Sequence, residues 1–392
     1  MKKFLALTLA LVMSLSLVAC GSKNEEPKTD DTNGTQVEEP TEGAYKIAMI
    51  TDYGDITDQS FNQTTYEACK AFAEDNSIEF NYFKPVGDNT ADRVAMIEKA
   101  VDEGYNVIVM PGYAFGGAIV ETAPKFSDVK FIALDVSAGD LGDGFAVPDN
   151  LYCAVYQEEL CGYMAGYAAV KMGYTKLGFL GGMAVPAVVR YGYGFVQGVD
   201  AAAAETGTEN VTLNYVYGGQ FFGDADITAV MDTWYQHDGV EVVFACGGGI
   251  YTSAVDAAKK ADAKVIGVDV DQAGVIANYA ETEGMTITSA MKGLYPTTYD
   301  TLSDVILNDN WSKYAGQIAT LGLVSADDPE ANYVQIPMGD GTQWCDTFTQ
   351  DDYKAMVKAM YDGELTVSND ITKSPADFAT CIAVEDQGAI KG

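Results

Sequence analysis

From residue 46 onward, short apolar runs alternate with helical segments, and this alternation limits the fold more than any other feature of the chain. Segments 46–51, 79–85, 107–113 and 131–136 are β-rich and end in turn-forming residues. Between them, 61–75 and 90–103 carry apolar residues at helical spacing, as at Val94, Ile97 and Val101. The pattern then repeats: 176–182, 211–218, 242–249 and 264–271 predict strands, and 158–172, 192–205, 224–236 and 250–262 predict helices. Such alternation predicts an α/β fold with parallel sheets covered by helices on both faces. Two successive sets predict two doubly wound lobes, and a body of about 350 residues is comfortable for two domains.

Open α/β sheets bind ligands beyond the carboxyl ends of their strands. The predicted strands end in Thr51-Asp52, Pro111-Gly112, Asp135, Gly181-Gly182, Gly247-Gly248-Gly249 and Asp269. If the lobes face each other across those ends, the cleft between them is the site. After Asp52, the run Asp58-Gln59-Ser60-Phe61-Asn62-Gln63 opens a helix with carboxylate, amide and aromatic groups together. An aromatic ring beside an amide or carboxylate suits a flat heterocycle, which stacks on the ring while its edge is read by hydrogen bonds. The same residues also fit a plain structural role, with Phe61 in the core and Ser60 capping the helix.

Lys2 and Lys3 precede an apolar run over 4–18 that closes on Leu17-Val18-Ala19-Cys20-Gly21. This predicts a signal peptide over 1–19, too short to span a bilayer comfortably, with Cys20 as the acceptor of a lipid anchor. Residues 21–43 hold seven acids, two lysines, two prolines and a single valine. That composition predicts a disordered tether over 20–43, with a reach of roughly 25–30 Å. The expected location is therefore the outer face of a cell membrane, on the lipid surface rather than within it. The net charge is −34, which repels nucleic acid and anionic headgroups. So acidic a chain predicts an uncharged small molecule rather than a phosphorylated one, unless a local basic pocket exists.

Catalytic machinery is hard to find. The one histidine, His237, falls at a predicted helix end and excludes any metal site needing two histidines. Neither a nucleophile elbow nor a phosphate loop occurs. The glycines of Gly192-Tyr193-Gly194-Phe195-Val196-Gln197-Gly198 miss the dinucleotide spacing by one residue. Asp269-Val270-Asp271-Gln272-Ala273-Gly274 lacks the third ligand and closing glutamate of a calcium loop. No enzyme activity, cofactor or metal is expected. Beyond Cys20 there are six cysteines without a C-x-x-C, compatible with either disulfides or buried free thiols.

Three blocks carry a family resemblance: Asp52 with 58–63; Gly178-Phe179-Leu180-Gly181-Gly182-Met183 with Pro186 and 190–194; and 267–272 with Ser289-Ala290-Met291-Lys292. Over about 45–308 the chain resembles the basic membrane protein family of ABC-transporter lipoproteins, of the purine nucleoside receptor type. The resemblance implies a type I periplasmic-binding-protein fold, with two lobes joined by three crossovers and closing by a hinge. It implies an N-terminal lobe of 44–151 plus about 293–312, and a C-terminal lobe of 152–292 plus about 313–392. A nucleobase would stack on Phe61, with Asp52 and Asn62 at its edge, Ser60 alongside and Gly248 at the opposite wall. A second aromatic comes from Gln220-Phe221-Phe222-Gly223-Asp224, where Phe222 fits better by its spacing to Asp224 and Phe221 stays open. Asp269 and Lys292 would meet the ribose hydroxyls, with Lys292 the one cation placed in the cleft against several carboxylates, although an acid and an ammonium at a strand end equally fit a structural ion pair. The implied partners are a small nucleoside and an ABC permease, with the protein a monomer. A sugar, a vitamin, a signalling molecule or a sensor role would leave the same composition. The tail beyond 309 does not match the family pattern closely.

Overall fold

The computed structural model describes residues 45–391; the predicted signal peptide, Cys20 and the tether lie outside them. Five strands, β1 (Lys46–Ile50), β2 (Glu79–Phe83), β3 (Val107–Pro111), β4 (Lys130–Leu134) and β5 (Leu151–Tyr156), belong to a first sheet. A second sheet begins with β6 (Lys176–Gly181), β7 (Thr212–Tyr217), β8 (Val242–Cys246), β9 (Lys264–Asp269) and β10 (Thr286–Lys292). Three late strands, β11 (Gln317–Leu321), β12 (Val334–Gln335) and β13 (Ala383–Ala389), are shared between them. The orders are β11-β5-β4-β3-β1-β2 and β12-β10-β9-β8-β6-β7-β13, parallel throughout except for β12 against β10. Both sheets reverse strand order at their centre, between β1 and β3 and between β6 and β8. Those two switch points are where a doubly wound sheet opens a crevice.

Burial follows the sequence pattern. β3 and β8 are buried at every position, as strands covered on both faces must be. One apolar cluster covers the outer face of the first sheet around Ile108, Phe115 and Phe131. Another covers the second around Leu180, Trp234 and Val243. The largest runs through the middle and takes side chains from both sheets, among them Met49, Phe72, Phe179 and Phe244.

The chain passes between lobes three times: after β5, after β10 and after β11. Two expected boundaries move. Residues 152–156 complete β5 of the first sheet, so that crossover falls after Tyr156 rather than at 151. Gln317–Leu321 pairs with β5 as the edge of the first sheet, so the second segment of the N-terminal lobe runs on past 312 to Leu321. Its alternating, half-buried side chains are those of an edge strand and give little sequence signal. The remaining tail finishes the second lobe, with helix Gln350–Tyr361 packed on the core and β13 extending the sheet beyond β7.

Helix Glu158–Lys171 is buried on almost every side, so it shows no amphipathic stripe. It lies against helix Pro186–Thr206, which starts with proline in its first turn, six residues earlier than expected at 192. The two backbones touch. A Cβ at Gly162 or Gly166 would come within 2.2 and 2.3 Å of the Tyr191 and Phe195 carbonyl oxygens. A Cβ at Gly194 or Gly198 would come within 2.0 and 2.1 Å of those of Glu159 and Tyr163. Of the glycines that resembled a dinucleotide fingerprint, Gly194 and Gly198 are thus a helix-packing surface, and Gly192 faces Phe179 and Tyr215 of the sheet.

Candidate functional site

The carboxyl ends of both sheets enclose a cavity of about 400 Å³. On the first lobe, Asp52 follows β1 and accepts hydrogen bonds from the Tyr53 and Gly54 backbone N–H groups, both at 2.6 Å. Burial raises its pKa and those two donors oppose the rise. Asp58 caps helix Phe61–Asn76, accepting from the backbone N–H groups of Ser60, Asn62 and Gln63 and from Asn62 Nδ2. This holds the Asn62 amide by its nitrogen and leaves Oδ1 buried without a partner. Phe61, the first residue of that helix, lines the cavity.

Ser60 departs from its expected place. It is fully buried and absent from the cavity wall, and it makes no helix-capping bond. Asp58 has taken the cap, which frees the Ser60 hydroxyl to donate to Asp269 Oδ2 at 2.6 Å across the cleft. Gln272 Nε2 donates to the Gln59 carbonyl on the same path, at 3.1 Å.

Asp269 ends β9 with φ +65°, a left-handed conformation that Asp tolerates better than most residues. Its other oxygen accepts from the Tyr191 hydroxyl at 3.3 Å. Lys292, ending β10, contacts Asp135 directly and stands 3.5 Å from Glu158 and 3.7 Å from Asp269. Its ammonium lies 4.7 Å from the Phe61 ring centroid and 5.5 and 5.6 Å from those of Tyr156 and Tyr191. Burial alone would depress the lysine pKa, but the three carboxylates outweigh it and the group is held charged. The Asp135 carboxyl is pushed up to about 6, by burial first, with Lys292 opposing and Glu158 adding to the rise. Asp135 Oδ1 has no partner.

Seven of the expected ligand residues thus line one cavity: Asp52, Phe61, Asn62, Phe222, Gly248, Asp269 and Lys292. Both phenylalanines of the 220–224 run line the cavity, and they differ in exposure. Phe222 is 57% exposed, whereas Phe221 is half-buried with its ring 6.4 Å from that of Tyr53 on the other lobe. Phe221 fits there because its ring lies against Gly182 and Gly247, where a Cβ would come within 2.3 and 2.7 Å.

Lys292 is not the one cation, as expected from sequence. Arg190 and Lys84 also line the cavity. Arg190 donates from Nε to Glu158 at 2.6 Å, which fixes the guanidinium beside the cavity. Arg190 lies in a block that carries the family resemblance, but a helix predicted to start at 192 leaves it outside the element that aims it. Six aspartates and three cations line the cavity, so its balance remains acidic. Among the described residues no group of histidine, cysteine and carboxylate side chains could hold a metal ion. The six cysteines are free thiols, with Cys69, Cys153, Cys161 and Cys246 buried.

A family model described as an ABC transporter substrate-binding protein, PnrA-like, matches residues 45–326. A CD4+ T-cell-stimulating antigen of Listeria innocua is 28% identical over 74% of this chain and 80% of its own length. The nucleoside-binding ABC transporter protein BmpA of Lactococcus lactis is 26% identical over 69% of this chain and 75% of its own length. An uncharacterized lipoprotein of Pyrococcus horikoshii is 26% identical over 74% of this chain and 70% of its own. Among solved structures, an ABC solute-binding protein from Aeropyrum pernix superposes with a TM-score of 0.63 at 20% identity, covering 85% of this chain and 90% of that one. It carries the fold, two lobes around an interlobe cleft. The chain therefore belongs to the Bmp family of PnrA-like ABC transporter substrate-binding proteins, which capture a small molecule for a membrane permease and are not enzymes.

Proposed function

We propose that this protein captures a purine nucleoside between its lobes and delivers it to an ABC permease. The observation that carries the reading is the pairing of the Phe61 ring with the unpartnered Asn62 Oδ1, beside Asp52, on one stretch of cavity wall. A base stacked on Phe61 meets acceptors for its ring N–H and exocyclic amine there. Phe221 from the opposite lobe supplies the second aromatic surface. Asp269 and Lys292 offer an acceptor and a donor to vicinal ribose hydroxyls, and Ser60 holds Asp269 in place. The acidic lining favours a neutral nucleoside over a nucleotide. The similarity to a Lactococcus lactis protein named nucleoside-binding agrees with this choice. Anchoring through Cys20 rests on the Leu17-Val18-Ala19-Cys20 sequence and agrees with relatives named lipoproteins. The lobes close as a hinge about the three crossovers, and the working unit is a monomer.

A thermal-shift screen against nucleosides, free bases, nucleotides, sugars and amino acids tests the reading. A ligand at a hundred times its Kd adds about 2.7 kcal/mol. Stabilisation by guanosine, inosine or adenosine but not by their phosphates is the expected result. A shift with a sugar and none with any nucleoside would replace the ligand while leaving the family intact.

A further inference from the structure

The family match ends at residue 326, and the chain beyond it returns to the binding cleft. After lying along helix Pro186–Thr206, where Asp200 accepts from the backbone N–H groups of Thr380 and Cys381 at 2.8 Å, the tail enters β13. β13 pairs in parallel with β7, and the Ile390 N–H continues the ladder to the Tyr217 carbonyl at 2.8 Å. The residues that follow β7 are the loop carrying Phe221 and Phe222. On its inner side this loop is held by the Gly249 N–H, which donates to the Phe221 carbonyl at 2.9 Å. On its outer side it is held by the tail.

We propose that the C-terminal segment is a clamp on the aromatic loop, with Lys391 as a positioning residue for ligand capture. Lys391 contacts Asp224 directly and stands 3.4 Å from Gln220 Oε1 and 3.7 Å from Asp226. Asp224 is the cap of helix Ala225–Thr233 and accepts from the Asp226 and Ile227 N–H groups. Gln220 Nε2 donates to the Phe222 carbonyl and to Asp224, both at 2.9 Å. One ammonium thus ties the start of the loop to its end, with both phenylalanines between. Gly219, at φ +82°, admits the Lys391 backbone, whose carbonyl oxygen would lie 2.6 Å from a Cβ there. Lys391 is about one-third exposed, so its contribution to global stability is small, whereas its effect falls on the loop it touches.

The consequence for affinity rests on the nucleoside reading; the consequence for the loop does not. The test compares K391A and K391R with wild type in the otherwise complete chain. Hydrogen exchange is followed in the peptide spanning 218–224 without added ligand, alongside melting temperature and inosine and guanosine titrations. K391A is expected to speed exchange in that peptide by roughly two- to fivefold, the range of a partly exposed ion pair. Exchange in helix Pro186–Thr206 and the melting temperature stay at the wild-type level, and K391R restores the loop. Nucleoside Kd rises by a similar factor, through faster release. Unchanged exchange at 218–224 in K391A overturns the proposal, as does equal loss of protection over the whole second lobe. If no variant binds a nucleoside but the loop still loosens in K391A, the clamp stands and the ligand assignment falls.

Discussion

Glu159 sits in the first turn of the buried helix Glu158–Lys171, is 2% exposed, and has one carboxylate oxygen without a partner. Burial, with Glu158 adding to it and Arg190 opposing, raises its pKa from the ordinary 4.5 to about 7. The folded protein therefore holds this proton more tightly than the unfolded chain does. Stability contributed by the neutral acid is fully present below about pH 4.5, declines as pH rises towards 7, and is flat above. With about 1.4 kcal/mol per pH unit, the displacement amounts to about 3 kcal/mol at alkaline pH. Glu159→Gln keeps the shape of the neutral acid and removes the titration. The variant should match wild type at low pH and exceed it by about 3 kcal/mol at about pH 8. For a body of this size that is a rise of about 4 °C in Tm. Melting curves in parallel buffer series, checked by urea unfolding, read the difference directly. A constant offset between the two proteins across the pH range would refute the account, because it would mean that Glu159 binds its proton equally tightly in the folded and unfolded chains.

Phe61→Ala should raise the nucleoside Kd by about ten- to a hundredfold, the scale of one base–aromatic stack, measured by calorimetric titration. Ser60→Ala removes the short donor to Asp269 and should weaken nucleoside binding by about tenfold, although the hydroxyl touches no ligand; an unchanged Kd would detach Ser60 from the site. Gly194→Ala should destabilise by about 1–3 kcal/mol in urea unfolding, since its Cβ would meet the Glu159 carbonyl oxygen and a backbone must move.

The architecture was legible because its strands are buried runs bounded by glycine and acid residues, and β1, β3, β6, β8 and β9 fall where those runs lie. Edge strands were not. β11 and β13 have mostly exposed, mixed side chains, and their pairing partners are far away in sequence. In the site, Asp52, Phe61, Asn62 and Asp269 lie at strand ends or helix starts that local pattern predicts, whereas Lys292 ends β10, a strand outside the predicted set, and was reached only through the family resemblance. Ser60 was misplaced because a serine before a helix reads as its cap, and only the tertiary fold shows Asp58 in that office. Arg190 was missed for the opposite reason: its role depends on Glu158, a residue brought beside it by two helices that meet through glycine. Which of Phe221 and Phe222 is the sheltered ring depends on which one two glycines of neighbouring strands can receive, and spacing along the chain does not encode that.

The glycine contact between helices Glu158–Lys171 and Pro186–Thr206 also bears on how ligand preference can change over descent. Because backbone rests on backbone, the separation of Glu158 from Arg190 is set by main-chain atoms rather than by side chains that vary. Residues 185–188 line the cavity from the open end of that frame. Of these, Val185 and Ala187 are only half-buried and can be exchanged for others without disturbing the spacing behind them, whereas Val188 belongs to the central core. A saturation library should therefore split sharply, with 162, 166, 194 and 198 accepting almost nothing and 185 and 187 accepting much while altering which molecule is carried. A receptor built this way can acquire a new cargo without first surviving a new fold.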